Sequence, residues 1–126
     1  MPVPAAGTLL IPSGPAHNPD LKHLHVVCTD PDANGNQIIV SITTWRNEQC
    51  DDTCIMDAYM HPFLTHKSYV LYSRARIEAS SVLEKGLAQN VFEARQAMNR
   101  QAFFRIRNGI CRSPFTPRKV KRNLGC

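Results

Sequence analysis

His23-Leu24-His25-Val26-Val27-Cys28-Thr29-Asp30-Pro31-Asp32-Ala33-Asn34-Gly35-Asn36-Gln37-Ile38-Ile39-Val40-Ser41-Ile42-Thr43-Thr44-Trp45 reads as two β-strands joined by a turn. Side chains alternate along a strand, so Leu24, Val26 and Cys28 share one face of the first limb, about His23–Thr29. His23, His25 and Val27 share the other. Asp30 to Asn36 is dense in turn residues, and Asn34-Gly35 is a strong hairpin signal. The second limb, Gln37–Trp45, is rich in β-branched residues. Ile38, Val40, Ile42 and Thr44 fall on one face, and Ile39, Ser41, Thr43 and Trp45 on the other.

Flanking segments extend the pattern. Gly7-Thr8-Leu9-Leu10-Ile11-Pro12 reads as a first strand, ended by the proline-interrupted loop Ser13 to Asp20. A polar excursion, Arg46–Thr53, leads to the short apolar piece Cys54-Ile55-Met56, and Ser68–Glu78 reads as a long final strand. Strands so spaced, with little helix between them, indicate a small antiparallel barrel or curled sheet. The last third changes character. Ser81-Val82-Leu83-Glu84 has the form of a capping box opening a short helix with Leu83 and Leu87 inward. A second helix starts near Asn99 as N-cap and carries Phe103, Ile106 and Ile110 on one face, with Arg100, Arg105 and Arg107 elsewhere. Ser113-Pro114-Phe115-Thr116-Pro117 ends it, before the basic run Arg118-Lys119-Val120-Lys121-Arg122. The division expected is one domain, 1–126: a barrel over 7–80, helices over 81–112 and a basic tail over 113–126.

Charge is distributed unevenly. Residues 1–60 hold Lys22 and Arg46 against seven acids, net −5, whereas residues 61–126 hold thirteen bases against Glu78, Glu84 and Glu93, net +10. The whole-chain value of +5 hides this basic half, whose field attracts a polyanion, most often nucleic acid. The basic run from Arg95 to Arg122 becomes a functional patch only if folding brings it to the surface of the barrel cleft. Hydrophobic content of 43% and charged content of 20% are those of an ordinary soluble domain. The N-terminus has no basic n-region and no long apolar h-region, and no apolar run reaches the length of a membrane span. A cytoplasmic protein is therefore expected, with no membrane partner. Its five cysteines, an odd count, should then be mostly reduced.

Four short stretches stand out together: the glycine-led Gly7-Thr8-Leu9-Leu10-Ile11, the basic-then-apolar Lys22-His23-Leu24-His25-Val26-Val27, Val40-Ser41-Ile42-Thr43-Thr44, which ends in hydroxyl residues, and Leu64-Thr65-His66-Lys67-Ser68-Tyr69-Val70, followed by Arg76-Ile77. Over roughly residues 7–80 they resemble, in order, the strands of the PemK/MazF-like toxin family of type II toxin–antitoxin systems. The resemblance implies a mainly β (α+β) fold, an SH3-like antiparallel β-barrel followed by two or three short C-terminal helices. It also implies a dimeric endoribonuclease without a cofactor, acting on single-stranded RNA and restrained by an antitoxin-like protein. The family's second strand opens on Arg-Pro where this chain has Lys22-His23, and a basic extension stands in place of one closing helix.

Metal-free RNA cleavage needs a base for the 2′-hydroxyl, an acid for the departing 5′-oxygen, and positive charge beside the phosphorus. The resemblance puts Lys22 in the cationic role and Thr43 or Thr44 in the phosphate-positioning role. His23 and His25, on one strand face, can supply base or acid near neutral pH. His61, His66, Ser68, Tyr69 and Tyr72 form a second cluster, in which the tyrosines and Phe63 can stack unpaired bases. Arg74, Arg76, Arg118 and Lys119 are candidate phosphate contacts. The intervals between Cys50 and Cys54 and between His61 and His66 suit structural zinc. The gap between Cys54 and His61 is too short for a finger helix, and two acids lie inside the cysteine pair, so no metal ligands are assigned. No Gly-rich phosphate loop, nucleophile elbow or His-Glu-x-x-His helix is present, which counts against nucleotide hydrolysis and protease chemistry. Two readings stay open: a metal-independent endoribonuclease, and a non-catalytic nucleic-acid-binding or protein-interaction module on the same barrel.

Overall fold

The computed structural model describes all 126 residues. Strands β1 (Thr8–Pro12), β2 (Lys22–Val27), β3 (Asn36–Thr44), β4 (Ile55–Met56), β5 (Ser68–Ala79) and β6 (Glu93–Arg95) form one sheet in the order β4-β5-β3-β2-β1-β6. Every pairing is antiparallel, and the sheet curls strongly into half a barrel. Helix α1 (Ser80–Ala88) lies between β5 and β6, and α2 (Arg100–Arg112) and α3 (Arg118–Leu124) close the chain. No helix is long and apolar enough to cross a membrane.

The hairpin between β2 and β3 forms where its turn chemistry demands. Asp32 Oδ1 accepts from the N–H groups of Asn34 at 2.9 Å and Asn36 at 3.0 Å, and Gly35 takes the positive φ of 77° that a side chain would oppose. Strand alternation then sorts the apolar residues onto two faces. Leu24, Val26, Cys28, Ile38, Val40 and Ile42 enter the larger core with Leu10, Val70 and Tyr72, and α2 and α3 cover them with Ala102, Ile106, Ile110 and Val120. Leu9, Ile11, Val27 and Ile39 face the other way, against Leu83 of α1, with Val3, Leu87 and Phe92 at the margin. The sheet is therefore covered fully on one side and partly on the other.

β5 carries the irregularity that matters most. Ile39 pairs with Arg76 but Ser41 pairs with Leu71, so the single residue Val40 stands opposite the four residues from Tyr72 to Ala75. Tyr72 and Ala75 both stay in the large core, and the extra length is taken up between them at the exposed Ser73 and Arg74. The Tyr72 hydroxyl donates to the Ile106 carbonyl at 2.7 Å, and Gly109 lets α2 come down on that ring, since a Cβ there would overlap the phenol.

Several expectations need correction. β5 is not the last strand: Glu93–Arg95 returns to pair with β1 at Leu10, Leu9 and Thr8. Three exposed residues have no apolar pattern to betray them. The Ser81–Glu84 capping box is not made. β5 runs directly into α1, whose N-cap is Ala79 with no side-chain bond, and Glu84 instead lies 3.0 Å from the terminal amine. Asn99 does cap α2, accepting from the Ala102 N–H at 2.9 Å. The segment read as a basic tail contains a helix, α3, with Val120 fully buried, and Cys126 bonds to Cys111 at the end of α2. Cys28, Cys50 and Cys54 are free.

Candidate functional site

On the face that α1 covers, apolar residues give way to polar ones along each strand. β2 runs from Val27 to His25 to His23, and β3 from Ile39 to Ser41 to Thr43. Leu83 packs on the Val27–Ile39 half, and beyond it lies an open cavity of about 450 Å³. His23, His25, Ser41, Leu71, Arg74 and Arg76 line it, with Ser13, Gly14 and Pro15 from the loop after β1. The ladder explains the grouping. His25 pairs with Ser41 and Ser41 with Leu71, while the extra residues of β5 put Arg74 on the same side as Leu71 and Arg76.

The two histidines are held differently. Nδ1 of His25 donates to the His23 carbonyl oxygen at 2.9 Å, which leaves Nε2 as the acceptor nitrogen. His25 is 2% exposed, and burial lowers its pKa to about 4, aided by the positive charge of Arg76 and by His23 and opposed by the bond to the carbonyl. His25 is thus a neutral imidazole at neutral pH. His23 is half-buried, and its pKa is also lowered by burial. Its Nδ1 lies 2.7 Å from Ser13 Oγ, and that hydroxyl donates to the Ile11 carbonyl at 3.1 Å, so Nδ1 carries the proton in this arrangement. Arg76 shares its Nε with Glu78 at 3.0 Å, whereas Arg74 is exposed and has no carboxylate partner. One cavity therefore gathers an acceptor nitrogen, a second titratable imidazole and two guanidinium groups.

A second opening adjoins the first. β2 and β3 pair from Val27–Ile39 to Leu24–Ile42 and then part, Lys22 and His23 staying with β1 and Thr43 and Thr44 with β5. The cleft of about 280 Å³ between them is lined by Lys22, His23, Thr43, Thr44, His66 and Ser68, together with Arg46 and Phe63. His23 belongs to both spaces. Most of the residues expected to do chemistry thus converge on two adjoining cavities. Lys22 does not stand free: its Nζ is 3.3 Å from Glu93 Oε1, and the other oxygen of that carboxylate lies 3.7 Å from Arg95.

Other expected site residues are elsewhere. Tyr72 cannot stack a base, because it is fully buried and its hydroxyl is spent on Ile106. His61 is 2% exposed with both ring nitrogens engaged: Nδ1 accepts from the Phe63 N–H at 3.0 Å, and Nε2 donates to the Gln96 carbonyl at 2.6 Å. It organises a loop. Tyr69 sits edge-on to Trp45, with ring centroids 5.8 Å apart, and Lys67 covers the Trp45 ring. Ser68, at the edge of the cleft, is buried and donates to the His66 carbonyl at 3.0 Å. Arg118 and Lys119 ride on α3, over the opposite face of the sheet, and line none of the four cavities. Cys50, Cys54, His61 and His66 do not converge, and no three His, Cys, Asp or Glu side chains are grouped to hold a metal ion.

Ser13 and Ser41 were missed as site residues. Ser41 was legible, because the alternation along β3 already placed it with Ile39 and Thr43 on the histidine side once the hairpin closes. Ser13 had no signal, since its place depends on how the loop after β1 folds back to His23. The chain matches no family model, no curated protein and no solved structure.

Proposed function

We propose that this chain is a divergent PemK/MazF-like protein whose half-barrel is an SH3-like barrel, and that it cleaves single-stranded RNA without a metal. The observation that carries the reading is the placing of His23 and His25 around one cavity with Arg74 and Arg76. In the cleavage step the 2′-oxygen attacks phosphorus and the bond to the 5′-oxygen breaks. Nε2 of His25 takes the 2′-hydroxyl proton, and protonated His23 returns a proton to the departing 5′-oxygen. Arg74 and Arg76 balance the charge that builds on the phosphoryl oxygens. The products are a 2′,3′-cyclic phosphate and a 5′-hydroxyl. Binding of a phosphodiester anion between the two imidazoles raises the basicity of both, so that it opposes the burial that lowers them and holds His23 in its protonated form. An antitoxin-like partner and a homodimer belong to the same reading.

The test is incubation of single-stranded RNA with the protein in EDTA, followed by analysis of the new ends. Cyclic phosphate ends that disappear in His25→Gln and His23→Ala support the proposal. Intact RNA beside a folded protein overturns it. The alternative, a non-catalytic nucleic-acid-binding or protein-interaction module, draws support from the Lys22–Glu93 pair, which occupies the cation the family resemblance puts beside the phosphate.

A further inference from the structure

Beyond the histidine cavity, neighbouring openings share lining residues in series. His23 is shared by the first cavity and the cleft, and Phe63 is shared by the cleft and a third cavity of about 310 Å³. Phe63 is 39% exposed, large for an aromatic ring, and its backbone is anchored. Its N–H is bound to His61 Nδ1, and His61 is in turn anchored on the Gln96 carbonyl beside β6. Arg95 sets its guanidinium 5.9 Å from the Phe63 ring centroid. An exposed aromatic ring on an anchored backbone, between two openings with cations on either side, is the arrangement that stacks an unpaired base while its flanking phosphates are neutralised. Lys22 and Arg46 line the cleft on the histidine side, and Arg95 stands on the far side.

We propose that Phe63 and Arg95 form an outer nucleotide subsite, in which Phe63 stacks a base of the single strand whose backbone runs through the cleft to the histidine cavity. This rests on the RNA reading above and deepens it. A single strand then has to extend beyond the bond being cut on one side to gain full affinity. The buried His61 acts as a positioning residue, because its two hydrogen bonds set the Phe63 loop.

The experiment compares random-sequence RNA of two, four and six nucleotides. Lengthening from two to six should raise kcat/KM by about tenfold or more, the range expected for one stacked base. Phe63→Ala should bring the ratio of long to short substrates close to one, and Phe63→Trp should restore it. A length gain that survives Phe63→Ala, or a wild-type ratio near one, overturns the subsite while leaving cleavage standing. No cleavage at any length overturns the cleavage reading instead. In that event, titration of a fluorescent 2′-deoxy hexanucleotide decides the subsite alone: equal affinity for the parent and Phe63→Ala, both folded by circular dichroism, overturns it.

Discussion

Nδ1 of His25 donates to the carbonyl oxygen of His23 across 2.9 Å, so the residue that carries one imidazole also fixes the tautomer of the next. Burial holds His25 at a pKa of about 4, below the value of 6.5 it has when solvated. The unfolded chain therefore binds this proton more readily than the folded one between about pH 6.5 and 4. Stability from this residue is fully present above pH 6.5 and is lost as pH falls towards 4, by about 3 kcal/mol in all. Urea denaturation at pH 7, 5.5 and 4 should show that loss, and His25→Gln should remove most of it. A variant with the acid sensitivity of the parent would place the titration elsewhere.

Tyr72 and Gly109 make a separate prediction about the other face. Tyr72→Phe removes the bond to the Ile106 carbonyl and should cost about 1 kcal/mol. Gly109→Ala should cost more, about 1–3 kcal/mol, because the new methyl would overlap a fully buried phenol held by its bond to the Ile106 carbonyl. Chemical denaturation measures both, and an unchanged midpoint for Gly109→Ala would mean that α2 does not sit on this ring.

Much of this architecture is legible in the sequence, because it depends on period-two alternation. The opposed faces of β2 and β3 follow from Leu24–Val26–Cys28 against His23–His25–Val27, and the Asn34-Gly35 turn joins the strands. Alternation alone does not read β5. Counting by twos from Val70 keeps Tyr72 in the core but sends Arg74 inward and Ala75 outward, and the irregularity opposite Val40 reverses that from Arg74 onward. β6 was illegible because it is short, exposed and recruited by β1 rather than by its own pattern. Tyr72 and His61 were misjudged for a shared reason: composition showed groups able to stack or to transfer protons, and burial put them to structural use.

Cys111 and Cys126 close α3 onto the end of α2 in one disulfide that the sequence reading did not assign, while the other three cysteines are free. A crosslink over a separation of 15 residues removes unfolded-chain entropy worth about 3 kcal/mol. Cys126→Ser, or a phosphine reductant, should therefore lower Tm, and the reductant should leave the Tm of the variant unchanged. Free-thiol titration of the denatured, unreduced protein should count three thiols. Five would show the pair to be open.

Glu93 pairs with both Lys22 and Arg95, so its single charge restrains two cations that flank the proposed path of the single strand. Both pairs are substantially solvated, each side chain being between a third and a half exposed, and such pairs contribute about 0–1 kcal/mol to stability. Glu93→Gln should thus leave Tm nearly unchanged. Its effect on RNA should be large by comparison, because each cation released to a phosphate steepens the salt dependence of single-strand binding by about 0.7 in log–log slope. Affinity at low salt should rise, and the gain should shrink as salt is added. Arg118→Gln combined with Lys119→Gln provides the contrast, since α3 lies over the opposite face of the sheet. That pair of substitutions should weaken binding less than Lys22→Gln does. Fluorescence anisotropy over a salt series separates the cases: a steeper slope for Glu93→Gln locates the strand between Lys22 and Arg95, and a slope that responds to α3 alone moves the RNA to the helical face.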